Sequence, residues 1–241
     1  MDSTNFDFVS RTKRLTGAAG VERLRHSCVA VFGLGGVGSY TAEALARCGV
    51  GRLILIDGDT VELSNINRQL CALHSTLGRP KAEVMAQRIH DISPDCAVEP
   101  YTLFYDAGNG RGLIQGCDYV ADAIDTVSSK LLLAEECAAA QVPLISAMGC
   151  GNKWDPTGFR VADISETRVC PLCRVMRREL KARGIARLPV VYSEETPAAP
   201  HREPDEPDTR KVAPGSLAFV VGTAGLLMAS HIIRSLLKEE A

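Results

Sequence analysis

Short apolar runs alternate with segments of helical periodicity along the first 150 or so residues. Cys28-Val-Ala-Val-Phe32 is five apolar residues that stop at a glycine cluster, as a strand buried on both faces does. Helix formers follow from Ser39 to Cys48. Gly49-Val-Gly51 breaks them, and Arg52-Leu-Ile-Leu-Ile56 is the next buried run. Lys81 to Ile92 puts Ala82, Met85, Ile89 and Ile92 on one stripe, an amphipathic helix closed by Pro94. Tyr119 to Ile124 is another strand, Ser128 to Gln141 another helix and Pro143 to Ala147 another strand. Strands alternating with helices predict an α/β fold, a mostly parallel sheet with helices on both faces.

The texture changes after Gly149-Cys-Gly151. Phe159 to Ile164 is a strand that leaves the parallel pattern, and Arg174 to Arg183 is a short basic helix. Cys170 to Val190 holds six Lys/Arg against Glu179 alone, a local charge of about +5. Glu194 to Asp208 carries four prolines and six carboxylates, the pattern of a mobile loop or lid. Val212 to Leu237 is long and apolar enough for a membrane span, but His231 and Arg234 interrupt it. Its small residues suit a buried or dimer-facing helix better, so membrane association is not expected. The expected organisation is one domain over residues 1–241: a core of about 11–147 and a smaller C-terminal α+β extension of about 148–241.

Composition narrows the class. The chain has 241 residues, 46% hydrophobic and 23% charged, which excludes disordered, collagenous and coiled-coil proteins. A formal charge of −2 gives no global attraction for polyanions, so a nucleic-acid surface must be a local patch. Nine cysteines without framework spacing, and no signal-peptide pattern in Met1 to Ser10, predict free thiols in a cytoplasmic protein.

Gly33-Leu-Gly35-Gly36-Val-Gly38 is a G-x-G-x-x-G where a strand hands over to a helix, so its N–H groups can approach a phosphate. Asp57 ends the next strand, where a carboxylate would accept bonds from ribose hydroxyls. The fold implied is Rossmann-like. Asp59, then Ser64-Asn-Ile-Asn-Arg-Gln69, then Lys81 follow, and a dinucleotide enzyme has little use for such fixed positive charge. Arg68 and Lys81 are placed to reach a triphosphate, and Asp125, at a strand's C-terminal end, to hold Mg²⁺. Each alone would be an ordinary surface charge; together they predict Mg-ATP rather than NAD.

These motifs, with Leu55-Ile-Asp-Gly-Asp59, Gly78-Arg-Pro-Lys81 and Asp122-Ala-Ile-Asp125, resemble the adenylating domain of the ubiquitin-activating-enzyme-like (ThiF/MoeB-type) family. The resemblance runs in order from about Arg11 to Ala147. It implies ATP contacts from Gly33, Gly35, Gly36, Gly38, Asp57, Asp59, Asn65, Asn67, Arg68, Gln69, Lys81, Asp125 and Thr126. It also implies a homodimer in which Arg11 or Arg14 reaches the partner's ATP. The chemistry implied is attack of a carboxylate on the α-phosphate, giving an acyl-adenylate and pyrophosphate. The C-terminal half, in Asp155-Pro-Thr157, Ala162-Asp-Ile-Ser165, Pro171-Leu172, Arg174 to Leu180 and Val190 to Glu194, resembles the tRNA threonylcarbamoyladenosine dehydratase branch. That branch implies a tRNA substrate rather than DNA, with a monovalent cation and a sulfur-relay protein as further candidate partners. Arg174, Arg177, Arg178, Lys181 and Arg183 are the candidate tRNA contacts, the first four at one-face helical spacing.

Two alternatives stay open at this level. One is an enzyme activating the C-terminus of a ubiquitin-like sulfur carrier; the other is a nucleotide-sensing module without catalysis. Cys170-Pro-Leu-Cys173 is the chain's one C-x-x-C, and two ligands do not close a tetrahedral site, so no structural zinc is expected. Cys150, between two glycines after a strand, is either a buried thiol or a nucleophile near the adenylate.

Overall fold

The computed structural model describes residues 8–201 and 213–238. Strands β1 (Cys28–Phe32), β2 (Arg52–Ile56), β3 (Ala97–Tyr101), β4 (Tyr119–Asp122), β5 (Leu144–Ala147), β6 (Phe159–Asp163) and β7 (Pro189–Ser193) form one sheet. Their order is β3-β2-β1-β4-β5-β7-β6; every pairing is parallel except the antiparallel β6–β7 pair. Helices are α1 (Ser10–Arg25), α2 (Gly38–Cys48), α3 (Lys81–Ile92), α4 (Val127–Ala140), α5 (Pro171–Ala182) and α6 (Ala218–Leu237).

Alternate residues of β1 serve two cores, because strand side chains point to opposite faces. Val29 and Val31 meet α2, α3 and α6 on one side; Cys28, Ala30 and Phe32 meet α4 and α5 on the other. The residues after 148 contribute to both cores, and β7 joins the sheet beside β5. The strand from Phe159 does leave the parallel pattern, as an antiparallel edge.

Two elements carry no clear signal in the sequence, and β7, though apolar, is not among the strands expected above. α1 is interrupted at Gly17 (φ 73°), and its first half is largely exposed, so little apolar periodicity survives. β3 is an edge strand with Glu99 and Pro100 in it, and Pro is tolerated only where no ladder donor is needed. The strand expected to reach Ile124 stops at Asp122, because the Asp122 carboxylate accepts the Ile124 N–H at 3.0 Å and turns the chain.

The apolar C-terminal segment is α6, with Val220, Val221, Ala224, Met228 and Ile232 buried in the core shared with α2. By length and composition alone it could cross a membrane. Its approach to α2 depends on small residues: a Cβ on Gly225 would lie 2.4 Å from the Val37 carbonyl oxygen. Of the expected mobile loop, Glu194 and Glu195 are anchored. Glu194 pairs with Arg160, while Glu195 accepts the N–H groups of Trp154 and Asp155 at 2.8 and 3.1 Å. Residues 202–208 of that loop lie outside the described residues.

Candidate functional site

A cavity of about 1070 Å³ opens at the C-terminal ends of β1, β2, β4 and β5, where ligands bind in open α/β sheets. The loop after β1 forms one wall. Gly33 adopts φ 84° with its Cα packed against the Ala123 carbonyl, and Gly38 starts α2 so close to the Gly33 carbonyl that no Cβ fits. Asp57 holds this loop: its carboxylate accepts the Leu34 N–H at 2.6 Å and the Asp59 N–H at 2.8 Å. Burial pushes the Asp57 carboxyl above the usual range, and those two amides partly offset it.

Lys81 opens α3 and is buried, its ammonium donating to Asp59 Oδ2 at 2.8 Å. Arg68 follows the short turn 63–65 and donates to Ser64 O at 2.8 Å and Asn67 Oδ1 at 2.9 Å. Asp125 and Thr126 line the opposite wall, with the Thr126 hydroxyl on Asp125 Oδ1 at 3.2 Å. Lys81, Arg68 and Asp125 therefore line one cavity, with Asp57, Asp59, Glu62 and Asp106 as its other carboxylates.

Of the residues singled out from sequence, Gly33, Gly35, Gly36, Asp57, Asp59, Asn65, Arg68, Gln69, Lys81, Asp125 and Thr126 all line this cavity. Gly38 supports the loop from behind. Asn67 does not line the cavity; it donates to Ser216 O at 3.0 Å and holds Arg68. Arg11 and Arg14 lie exposed on α1, outside this chain's own cavity lining. Sequence reasoning missed Phe104, which is 63% exposed on the cavity wall with its ring against Gly58. It follows the unrecognised edge strand, so no pattern pointed to it.

The basic helix is α5, but its cations do not act alike. Arg177 turns inward, donating to Thr167 O at 2.8 Å, Thr167 Oγ1 at 2.7 Å and Ile164 O at 3.3 Å. Helical spacing alone placed it with the exposed residues; the neighbouring turn at 164–166 supplies acceptors that draw it in. Arg178 pairs with Glu179, and Arg183 with Glu179 and Glu135. Among the described residues, Arg174 and Lys181 are the cations of this set left exposed without an ion pair.

Cys150 lines the cavity, but burial pushes its thiol up to about 12 and it donates to Met148 O at 3.3 Å. A thiol protonated at neutral pH is a poor nucleophile. Cys170 caps α5 and is lowered to about 5, first by the Cys173 thiol and then by the N–H groups of Cys173, Gly149 and Leu172. Among the described residues no three His, Cys, Asp or Glu side chains gather as metal ligands. Elemental analysis of purified protein is expected to find well below about one zinc per chain, since two thiols leave a tetrahedral site half built. A stoichiometric zinc would overturn this.

The sequence matches the ThiF family over residues 9–241. The chain belongs to that family. It is similar to the Bacillus subtilis tRNA threonylcarbamoyladenosine dehydratase, 45% identical over 240 residues, covering 95% of this chain and 94% of the relative. The crystal structure of Escherichia coli tRNA N6-threonylcarbamoyladenosine dehydratase, TcdA, in complex with ATP is 34% identical. It superposes with a TM-score of 0.86 over 95% of this chain and 93% of that one. The E. coli molybdopterin-synthase adenylyltransferase is 38% identical, but that match covers 60% of this chain. This ThiF-family chain thus shares nearly its whole length with these two dehydratases.

Proposed function

We propose that this protein is an ATP-dependent tRNA threonylcarbamoyladenosine dehydratase. It adenylates the side-chain carboxylate of N6-threonylcarbamoyladenosine beside the anticodon and releases pyrophosphate. The activated carboxylate is then captured within the modification, closing a ring with release of AMP and net loss of water. The observation that carries this reading is the full-length similarity to dehydratases, which extends through the C-terminal extension. An enzyme for a sulfur-carrier C-terminus is less supported, because the adenylyltransferase match covers much less of this chain.

Each step has a residue to serve it. Asp57 receives the ribose, and the loop from Gly33 to Gly38 receives the phosphates. Negative charge grows on the α- and β-phosphates as pyrophosphate leaves, and Lys81 and Arg68 are there to stabilise it. Mg²⁺ usually takes one or two protein carboxylates plus substrate phosphates, and the single carboxylate of Asp125 suits that need. Such an ion would neutralise phosphate charge. Ring closure is intramolecular, so positioning supplies its rate and no protein nucleophile is required, in keeping with a protonated Cys150. In a homodimer, Arg11 or Arg14 of one copy would complete the other copy's site.

The test is nucleoside mass spectrometry of threonylcarbamoylated tRNA before and after incubation with the protein and ATP. Loss of one water from the modified nucleoside is expected, and an unchanged nucleoside would sink the reading. The tRNA surface is tested separately. Charge reversal at Arg174 and Lys181 should flatten the dependence of tRNA affinity on salt, the slope falling by roughly 1 for each phosphate no longer neutralised. ATP binding should be unchanged. An unaltered slope would move the tRNA surface away from α5.

A further inference from the structure

Behind the cavity wall lies a buried polar trio, one member of which, Asp122, opens the motif Asp122-Ala-Ile-Asp125. Asp122 ends β4, Ser146 is its register partner on β5, and Lys130 comes from the first turn of α4. All three have 0% exposure. Lys130 Nζ donates to Asp122 Oδ2 at 2.9 Å and to Ser146 Oγ at 3.1 Å. The Ser146 hydroxyl donates to the same carboxylate oxygen, and the other oxygen, Oδ1, accepts the Ile124 N–H at 3.0 Å.

Stability does not account for this arrangement. Charges taken out of water carry a desolvation cost, and well-packed apolar residues of similar volume hold a fold as well or better. What an ion pair with hydrogen bonds supplies, and apolar packing does not, is a fixed direction. Here the direction is imposed on two strand ends at once. Ala123, Ile124, Asp125 and Thr126 follow β4 and line the cavity, as do Met148 and Gly149 after β5. The Ala123 carbonyl also packs on Gly33, where a Cβ would approach it to 2.7 Å. A shift of the Asp122 hook would therefore move Asp125, while the glycine loop stays held by Asp57 through the Leu34 N–H and by Ile56 O through the Gly33 N–H.

The geometry points to Asp122, Lys130 and Ser146 as positioning residues that lock the turn after β4, so that Asp125 keeps its place on the cavity wall as the reaction proceeds. This inference rests on the adenylation reading above. The trio touches no substrate; it acts through Asp125.

Two variants of the full chain test it. Asp122→Asn with Lys130→Met removes both charges at similar volume and keeps an acceptor for Ile124. Ser146→Ala leaves the ion pair in place and serves if the double variant does not fold. AMP formation with ATP and threonylcarbamoylated tRNA should show kcat reduced about 10- to 100-fold in the double variant, the scale of a small misplacement of reacting groups. A several-fold reduction is expected for Ser146→Ala. KM for ATP should stay within about threefold of wild type, since ground-state binding is not what the trio controls. Amide exchange at Ile124 should quicken without ligand.

The decisive readout is a cycle with Asp125→Ala, in which neither change should lower kcat further. Wild-type kcat in a folded variant, or the same additional drop in the Asp125→Ala background, would overturn the proposal alone. Wild-type protein that forms no AMP with that tRNA would overturn the adenylation reading and this proposal with it.

Discussion

Lys81→Ala is expected to lower AMP formation by about 10²-fold or more, the scale on which one transition-state charge contact acts in a dry site. The side chain is 6% exposed and its ion-pair partner, Asp59, is 52% exposed. Removing the ammonium thus leaves Asp59 where water can solvate it, and the thermal midpoint should move little. Arg68→Ala should behave alike, because that guanidinium is braced by the Ser64 carbonyl and Asn67 rather than by an opposing charge. Asn67→Ala removes only a brace and should cost less than either. Steady-state assays of pyrophosphate release measure all three. Wild-type rates in both cation variants would deny Lys81 and Arg68 a part in the reaction and remove the electrostatic basis of the mechanism.

Gly38→Ala should be worse for binding than any cation variant. Its Cβ would stand 1.8 Å from the Gly33 carbonyl oxygen, a backbone atom with no rotamer to retreat into. The loop must open, and with it the N–H groups proposed to receive the phosphates. Calorimetry should show ATP affinity lower by about 10²-fold or more, and overpacking of this kind costs about 1–3 kcal/mol of stability. Gly184→Ala is the control. That glycine has positive φ, at 78°, but nothing lies within 4 Å of the added carbon, so strain is the sole cost and ATP binding should persist. Equal ATP affinities in the two variants would show that the close approach of Gly38 to Gly33 does not shape the site.

Both predictions lean on residues that were legible in the sequence. The glycine loop, Asp57, Arg68, Lys81 and Asp125 could be read because each is tied to a local signal. The signals are a strand that ends in glycines, an acid at the next strand's end, and a cation at a helix start. Their chemistry is set within a few residues of chain. The same locality made the buried strands and the amphipathic α3 readable, since an apolar run or a 3.6-residue stripe is visible without knowing its partner.

What escaped was decided by partners far along the chain. α1 and β3 have weak patterns because an exposed helix half and a sheet edge bury too little to impose one. Arg177 has the helical spacing of a surface cation, yet Ile164 and Thr167 turn it inward. Phe104 gained its place from Gly58, across a strand pairing that the sequence did not announce. Nothing in the sequence of α4 sets Lys130 apart; β4 and β5 bring Asp122 and Ser146 beneath it. Periodicity and spacing determined most strands, most helices and most of the candidate side chains that line the cavity, because those depend on backbone geometry nearby. Only the tertiary structure decided which charges are buried and which cations stay exposed, because desolvation and hydrogen-bond partners come from whatever the fold packs against them.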